Sequence, residues 1–236
     1  MGTMAPVRLA ELPRQEATRR AQAGAVVLLP VGSLEQHGTH LPIGTDSLLV
    51  EAVCLSAAGR ASRDVLVAPT IWTGFSPHHV RFGATVSLTS SVFADLVREV
   101  WSGLSEWAPT VLVVNGHGGN RGPLITLAVE HGMRFVSYFE LADAASRGLF
   151  GVDRGSPGHA GQLETSLSLA IHEQLVGAPA GAFEPIAAGE HALLVPDMGE
   201  SGVLGDPSAA TAESGAAFLE TVTVALARIL EELEPR

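Results

Sequence analysis

The chain has 236 residues, 46% of them hydrophobic and 17% charged, which indicates one folded domain spanning 1–236 and argues against disorder. The formal net charge of −11 makes nucleic acids and anionic membranes poor partners, and the absence of lysine among the 14 basic residues excludes Schiff-base chemistry. With no signal-peptide core at the N-terminus and no apolar run of membrane-spanning length, we expect a cytoplasmic protein.

Helical and strand patterns alternate along the chain. Helices are predicted at 9–22, 46–60, 91–107, from the turn after 120 to about 131, at 162–175 and at 211–233. Strands are predicted at 25–29, 65–69, 110–114 and 134–139, with loops at 70–85 and 148–161 and irregular structure at 176–210. This order favours βαβ units and a mainly parallel sheet, whose ligands gather beyond the carboxyl ends of the strands.

The first motif, VGSLEQHGTHLPIGTD at 31–46, follows the first predicted strand and places Glu35, His37 and Asp46 within one loop. If residues 35–37 are extended, the side chains of Glu35 and His37 project to the same side. Nitrogen and oxygen donors without a thiolate suit a divalent metal ion. The alternative is a polar surface loop in which Asp46 caps the next helix.

The second motif, NGHGGN at 115–120, places His117 between glycines at a strand-to-helix turn. The glycines permit positive φ and leave room for a ligand, and their amides lie near a helix N-terminus. Gly118 and Gly119 are therefore candidates for contacting substrate, and so is His78 in the preceding loop. The alternatives are a tight turn with an incidental histidine, or a phosphate loop, whose spacing this motif does not have.

The third motif, GHAGQLETS at 158–166, places His159 in a loop and Glu164 near the start of the next predicted helix. Both types of side chain perform acid–base chemistry. A carboxylate in the first turn of a helix also has a simpler interpretation, because it stabilises the helix dipole.

Together, GSLEQHGTHLP followed by TD, NGHGGN and GHAGxxETS closely resemble the creatininase family of metal-dependent amidohydrolases, which includes peptidases of mycofactocin maturation. The resemblance runs from about 26 to 175 and extends weakly to 202–207. It implies a three-layer αβα fold and a homohexamer built as a trimer of dimers. It also implies two divalent ions per chain held by Glu35, His37, Asp46 and His117, with the aspartate bridging. The nitrogen and oxygen donors suit Zn, Mn or Fe(II) and do not choose among them. His159 and Glu164 would then be active-site residues.

Two departures from creatininase proper bear on the substrate. Creatininase proper has a glutamate where this chain has Gly119, so Glu164 is our replacement candidate, either as a metal ligand or as a base. The chain also has no tryptophan between 108 and 236, whereas creatininase closes its site with tryptophans near the third motif. We therefore expect creatinine to be a poor substrate.

The predicted activity is hydrolysis of a C–N bond in a small cyclic or linear amide by metal-activated water, with proton transfer through His159. Three alternatives stay open at the level of the sequence. The protein could be a peptidase for a precursor peptide, a formamide deformylase, or a metal-binding oligomer without catalysis.

Overall fold

The computed structural model describes residues 7–142, 148–150, 158–181, 183–184 and 198–235. The strands are β1 (Val7–Arg8), β2 (Val26–Val31), β3 (Val65–Val67), β4 (Val111–Asn115) and β5 (Phe135–Ser137). The helices are α1 (Arg14–Gln22), α2 (Thr45–Arg60), α3 (Ser90–Ser105), α4 (Arg121–His131), α5 (Gln162–His172) and α6 (Ala212–Glu232). Short 3-10 turns include Pro77–Phe82 and Gly118–Asn120. No helix among these residues is long and apolar enough to cross a membrane.

The five strands form one parallel sheet in the order β1-β3-β2-β4-β5. All six residues of the central strand β2 are buried, because helices cover both faces of the sheet. Val26 and Leu28 pack with α2, α5 and α6, whereas Val27 and Leu29 pack with α1, α3 and α4. The expected three-layer αβα fold with a mainly parallel sheet is thus confirmed.

Most predicted helices and strands are present, but the first helical prediction, 9–22, is wrong in its extent. A 3-10 turn occupies Leu9–Glu11, and α1 begins only after Pro13, which stands at its N-cap in an extended conformation. Proline lacks the amide hydrogen that a continuous helix would need at this point. Conversely, β2 continues past its predicted end through Pro30, whose carbonyl accepts a hydrogen bond from the amide of Ile71. The loop predicted at 148–161 and the irregular structure predicted at 176–210 lie partly outside the described residues.

The strand order places the loops after β2 and β4 next to each other. The helix after β2 (α2) lies on one face of the sheet, and the helix after β4 (α4) lies on the other. The loops that follow the carboxyl ends of these two strands therefore run in opposite directions. Such a divergence opens the crevice in which parallel sheets bind ligands. Both metal-binding motifs predicted from the sequence begin in these two loops.

Candidate metal centre

Six buried acidic and imidazole side chains converge in the crevice beyond β2 and β4. They form three overlapping groups whose donor atoms lie within 4.8 Å of one another: Glu35, His37 and His159; Glu35, Asp46 and His117; and His37, Asp46 and Glu164. The structure therefore brings together all of the side chains that the sequence predicted as metal ligands or as catalytic residues. They come from the loop after β2, the first turns of α2 and α5, the turn after β4 and the loop before α5.

Asp46 lies between two histidines rather than at a helix cap. Its Oδ2 is 3.1 Å from His117 Nδ1, and its Oδ1 is 3.4 Å from His37 Nε2. The N-cap position of α2 is Gly44, with no side-chain cap, so the interpretation of Asp46 as the cap of this helix is wrong. A carboxylate whose two oxygens face two separate imidazoles has the geometry of a ligand shared between two cations.

Three histidines of the cluster each have one ring nitrogen fixed by a backbone carbonyl oxygen. The contacts are His37 Nδ1 with Glu35 at 3.1 Å, His117 Nε2 with Phe75 at 3.2 Å, and His159 Nε2 with Gln36 at 2.7 Å. Because a carbonyl oxygen can only accept, the hydrogen of each neutral ring lies on that nitrogen. When the ring is neutral, its other nitrogen presents a lone pair to the cluster, as metal-binding imidazoles do.

Several potential metal-ligand atoms at the centre of the cluster have no hydrogen-bond partner among the described residues. These are both carboxylate oxygens of Glu35, His37 Nε2 and Asp46 Oδ2. Buried polar atoms without partners are costly, and a cation bound among these carboxylate oxygens and imidazole nitrogens would satisfy them. Two ligand atoms on one tetrahedral zinc ion are separated by about 3.4 Å, given bonds of about 2.1 Å. The nitrogen–oxygen distances of 3.1–3.4 Å around Asp46 therefore fit a divalent cation.

The electrostatics of the cluster favour positive charge between the carboxylates. Burial works against ionisation of Glu35, but the neighbouring His117 and His159 together lower the pKa of Glu35 to about 2. Burial likewise opposes a charge on His37, yet the carboxylates of Asp46, Glu164 and Glu35 together raise the pKa of His37 to about 10. Glu35 and Asp46, whose pKa is also lowered, are therefore ionised, and protons or metal ions are stabilised between them.

The third motif is held rigidly by the chain after it. The backbone of His159 pairs with that of Leu204, with amide-to-carbonyl distances of 2.9 and 2.8 Å. Ala160 has a φ of +51° and is buried, a conformation that costs energy for a residue other than glycine. Its amide donates to Glu164 Oε2 at 2.6 Å, and burial raises the pKa of Glu164 to about 7. The backbone thus fixes the direction of both side chains.

The predicted substrate contacts are only partly explained. His78 is half-buried, and its ring stacks on that of His117 with centroids 5.9 Å apart. A Cβ on Gly118 would meet nothing within 4 Å, so this residue borders open space. A Cβ on Gly119, in contrast, would lie 2.3 Å from the carbonyl oxygen of Phe75 and 2.5 Å from His117 Nε2.

The second motif was expected to need glycines because they permit positive φ and leave room for other groups, and the first of these reasons is wrong. None of Gly116, Gly118 and Gly119 has positive φ. Gly116 and Gly119 are needed because other groups approach closely, since a Cβ on Gly116 would lie 2.8 Å from the carbonyl oxygen of Asp46. The same crowding leaves no space for a glutamate side chain at position 119.

The sequence did not single out two further residues of the site. His79 is buried and its Nε2 lies 3.2 Å from Glu35 Oε1, while Gln36 contacts both His79 and His159. Gln36 lies between two predicted ligands and His79 lies next to His78, so their positions in the sequence already indicated that they are near the site. Their role depends on hydrogen-bond geometry, which the sequence does not contain.

Comparison with known proteins gives consistent matches. The family model Creatininase, described as creatinine amidohydrolase, matches residues 10–230. The mycofactocin precursor peptide peptidase of Mycobacterium tuberculosis (strain H37Rv) is 34% identical over 227 residues, 87% of this chain and 84% of that protein. The creatinine amidohydrolase of Pseudomonas putida is 29% identical over 197 residues, 72% of this chain and 74% of that protein. A solved mutant creatininase of the Zn-Zn type superposes with a TM-score of 0.77 and 26% identity, covering 95% of this chain and 98% of that one.

Proposed function

The chain belongs to the creatininase family of amidohydrolases, and we propose that it is a metal-dependent peptidase that cleaves a C–N bond in a precursor peptide. The similarity to precursor peptide peptidases supports this substrate class, because identity reaches 34% over 84% of that relative's length. The match to a creatinine amidohydrolase is lower in identity and shorter.

The proposed ligands of two divalent ions are Glu35, His37, Asp46, His117 and Glu164. The observation that carries this assignment is the set of buried oxygen and nitrogen atoms that have no hydrogen-bond partner in the described part of the chain, gathered within 4.8 Å of one another. The nitrogen and oxygen donors suit zinc, manganese or iron(II), and none of them is a thiolate. Asp46 is the proposed bridge, since its two oxygens face different histidines.

The residues around the metals have separable roles in the proposed reaction. When bound, the two ions lower the pKa of a water molecule and polarise the carbonyl of the substrate amide. His159 accepts a proton at Nδ1, which faces the cluster, and releases it to the leaving nitrogen. Its Nε2 keeps its hydrogen and donates it to the carbonyl oxygen of Gln36, which keeps the ring oriented. Hydrolysis adds one water across the amide bond, giving a carboxylate and an amine.

The crowding at Gly119 supports a substrate other than creatinine. Creatininase proper has a glutamate at this position, and here a side chain there would collide with Phe75 and His117. The family's carboxylate is therefore missing and cannot be restored without moving a proposed metal ligand. His78 and Gly118, at the open side of the cluster, are the proposed contacts with substrate.

A substrate panel tests the proposal. The metal-loaded protein is incubated with a library of short peptides, creatinine and N-formyl compounds, and the products are identified by mass spectrometry. We expect one peptide bond to be cleaved, with no reaction after chelation of the metals and full recovery when they are added back. Efficient hydrolysis of creatinine without cleavage of any peptide would contradict the peptidase assignment and favour a small amide as substrate.

We also propose that the protein is a cytoplasmic homohexamer, as the resemblance to the family implied. Light scattering coupled to size-exclusion chromatography measures the assembly directly. A monomer at working concentration would contradict this part of the proposal and would leave the metal chemistry untouched.

A further inference from the structure

We propose that His79 and Gln36 are positioning residues of the metal centre, in which Gln36 orients the ring of His79 so that its Nε2 hydrogen is donated to the carboxylate of Glu35 in the metal-loaded protein. His79 is buried, and its Nε2 lies 3.2 Å from Glu35 Oε1. The inference rests on the proposed function, because it concerns the same metal centre.

Two backbone groups fix the orientation of the Gln36 side-chain amide. The amide of Gly38, which can only donate, lies 2.9 Å from Gln36 Oε1. The carbonyl of Gly202, which can only accept, lies 2.8 Å from Gln36 Nε2. Exchanging the oxygen and the nitrogen would set donor against donor and acceptor against acceptor. Nε2 therefore carries two hydrogens, of which one goes to Gly202.

The second hydrogen of Gln36 Nε2 has two ring nitrogens within reach, His79 Nδ1 at 2.9 Å and His159 Nε2 at 3.2 Å. His159 Nε2 already donates to the backbone carbonyl of Gln36 at 2.7 Å, so it has no lone pair to accept with. The hydrogen therefore goes to His79 Nδ1. Neutral His79 then carries its own hydrogen on Nε2, the nitrogen that faces Glu35.

This assignment separates His79 from the other imidazoles around Glu35 Oε1. His117 Nδ1 lies 3.2 Å and His159 Nδ1 lies 3.6 Å from this oxygen. When the two rings are neutral, both of these nitrogens present lone pairs. A lone pair beside a carboxylate oxygen is repulsive unless a cation lies between them. His79 presents a hydrogen instead, so it acts as a hydrogen-bond donor to Glu35 and not as a metal ligand. Metal-binding carboxylates are commonly held by such donors.

The segment that contains Gly202 completes the arrangement. Gly202 has a φ of +70°, and a Cβ there would lie 2.6 Å from Gln36 Nε2. Its carbonyl oxygen accepts a hydrogen bond from that same nitrogen, and the two residues are 166 positions apart in the chain. The motif at 202–207, which the sequence linked only weakly to the family, thus supports a metal ligand through Gln36 and His79.

Two substitutions of His79 test the inference. His79→Met removes the donor at similar size, whereas His79→Gln keeps an N–H near the position of Nε2. Dissociation constants for Mn²⁺ and Zn²⁺ are measured by chelator competition, and the visible spectrum of the Co²⁺-loaded protein reports the ligand geometry. We expect His79→Met to weaken binding about 10–100-fold with unchanged metal content at saturation. His79→Gln should keep most of the affinity and the wild-type spectrum.

A double-substitution cycle tests the link through Gln36. Gln36→Met should weaken metal binding in the wild-type chain. In the His79→Met chain it should weaken binding little further, because both substitutions break the same chain of hydrogen bonds from Gln36 through His79 to Glu35. His131→Gln, which alters an exposed imidazole at the end of α4, is the matched control and should change nothing.

Four outcomes would overturn the inference or its premise. Unchanged affinity in His79→Met would show that His79 has no part in holding Glu35. Loss of one metal equivalent at saturation would make His79 a ligand. If His79→Met and His79→Gln lost the same amount of metal affinity, and if that loss added to the loss caused by Gln36→Met, His79 would have only a packing role. A wild-type chain that binds no metal would refute the proposed function itself and so is distinguishable from the other three.

Discussion

Substitution of Gly119 offers the sharpest test of the crowded second motif. A Cβ at this position would lie 2.3 Å from the Phe75 carbonyl oxygen and 2.5 Å from His117 Nε2. Contacts this short force the backbone or the ring to move, and overpacking of this kind costs roughly 1–3 kcal/mol. Since one kcal/mol shifts the melting temperature of a domain of this size by about 2–4 °C, the effect of Gly119→Ala is measurable.

The ring that must move is a proposed metal ligand, so stability and metal binding should fall together. His117 would lose the contact of Nε2 with Phe75, now 3.2 Å, that directs Nδ1 to Glu35 and Asp46. We expect Gly119→Ala and Gly119→Glu to bind less metal than the wild type. Restoring the family's carboxylate should therefore fail to create creatinine hydrolysis.

Gly118→Ala is the matched control, because a Cβ there would meet nothing within 4 Å. The melting temperature is measured in chelator, so that metal binding does not contribute to stability, and metal content is measured by elemental analysis. We expect Gly118→Ala to match the wild type in both. A Gly119→Glu protein with wild-type stability and full metal content would refute the steric reasoning.

Three further predictions concern the roles of the remaining residues. Glu35→Gln and His117→Ala should each lower the metal content found by elemental analysis, and wild-type content in both would contradict the ligand assignment. His159→Ala should keep its metals and its fold but lose about 10²–10⁴-fold in kcat, the usual contribution of a positioned proton-transfer group; if it loses metal as well, His159 is a ligand. Creatinine should be a poor substrate in steady-state kinetics, because polar groups left unpaired in an ill-fitting site cost about 1–3 kcal/mol each.

The alternation of strands and helices could be read from the sequence. The buried run at Val26–Val31 and the helix Thr45–Arg60 follow from local apolar spacing, which is a property of neighbouring residues alone. The same information misses β1, since the two residues Val7–Arg8 carry no pattern and become a strand only by pairing with β3. It also extended the first helix across Pro13.

The candidate ligands could also be named from the sequence, because their chemistry is a matter of residue type and spacing. Glu35 and His37 stand two residues apart in a loop, and Asp46 follows where a helix begins. That these groups meet His117 depended only on two parallel strands ending at the same edge, which the βαβ pattern predicts. Glu164 was the uncertain member, and the structure places it 3.8 Å from His37 Nε2.

What each group does was decided by the tertiary structure, since it depends on atoms far apart in the chain. The carbonyl of Phe75 determines which nitrogen of His117 faces the cluster, and the carbonyl of Gln36 does so for His159, 123 residues away. No local pattern encodes such contacts, because a hydrogen-bond partner is chosen by three-dimensional proximity and by which atoms can only accept or only donate. The sequence supplied the chemical groups of the site, and the fold fixed the direction in which each of them acts.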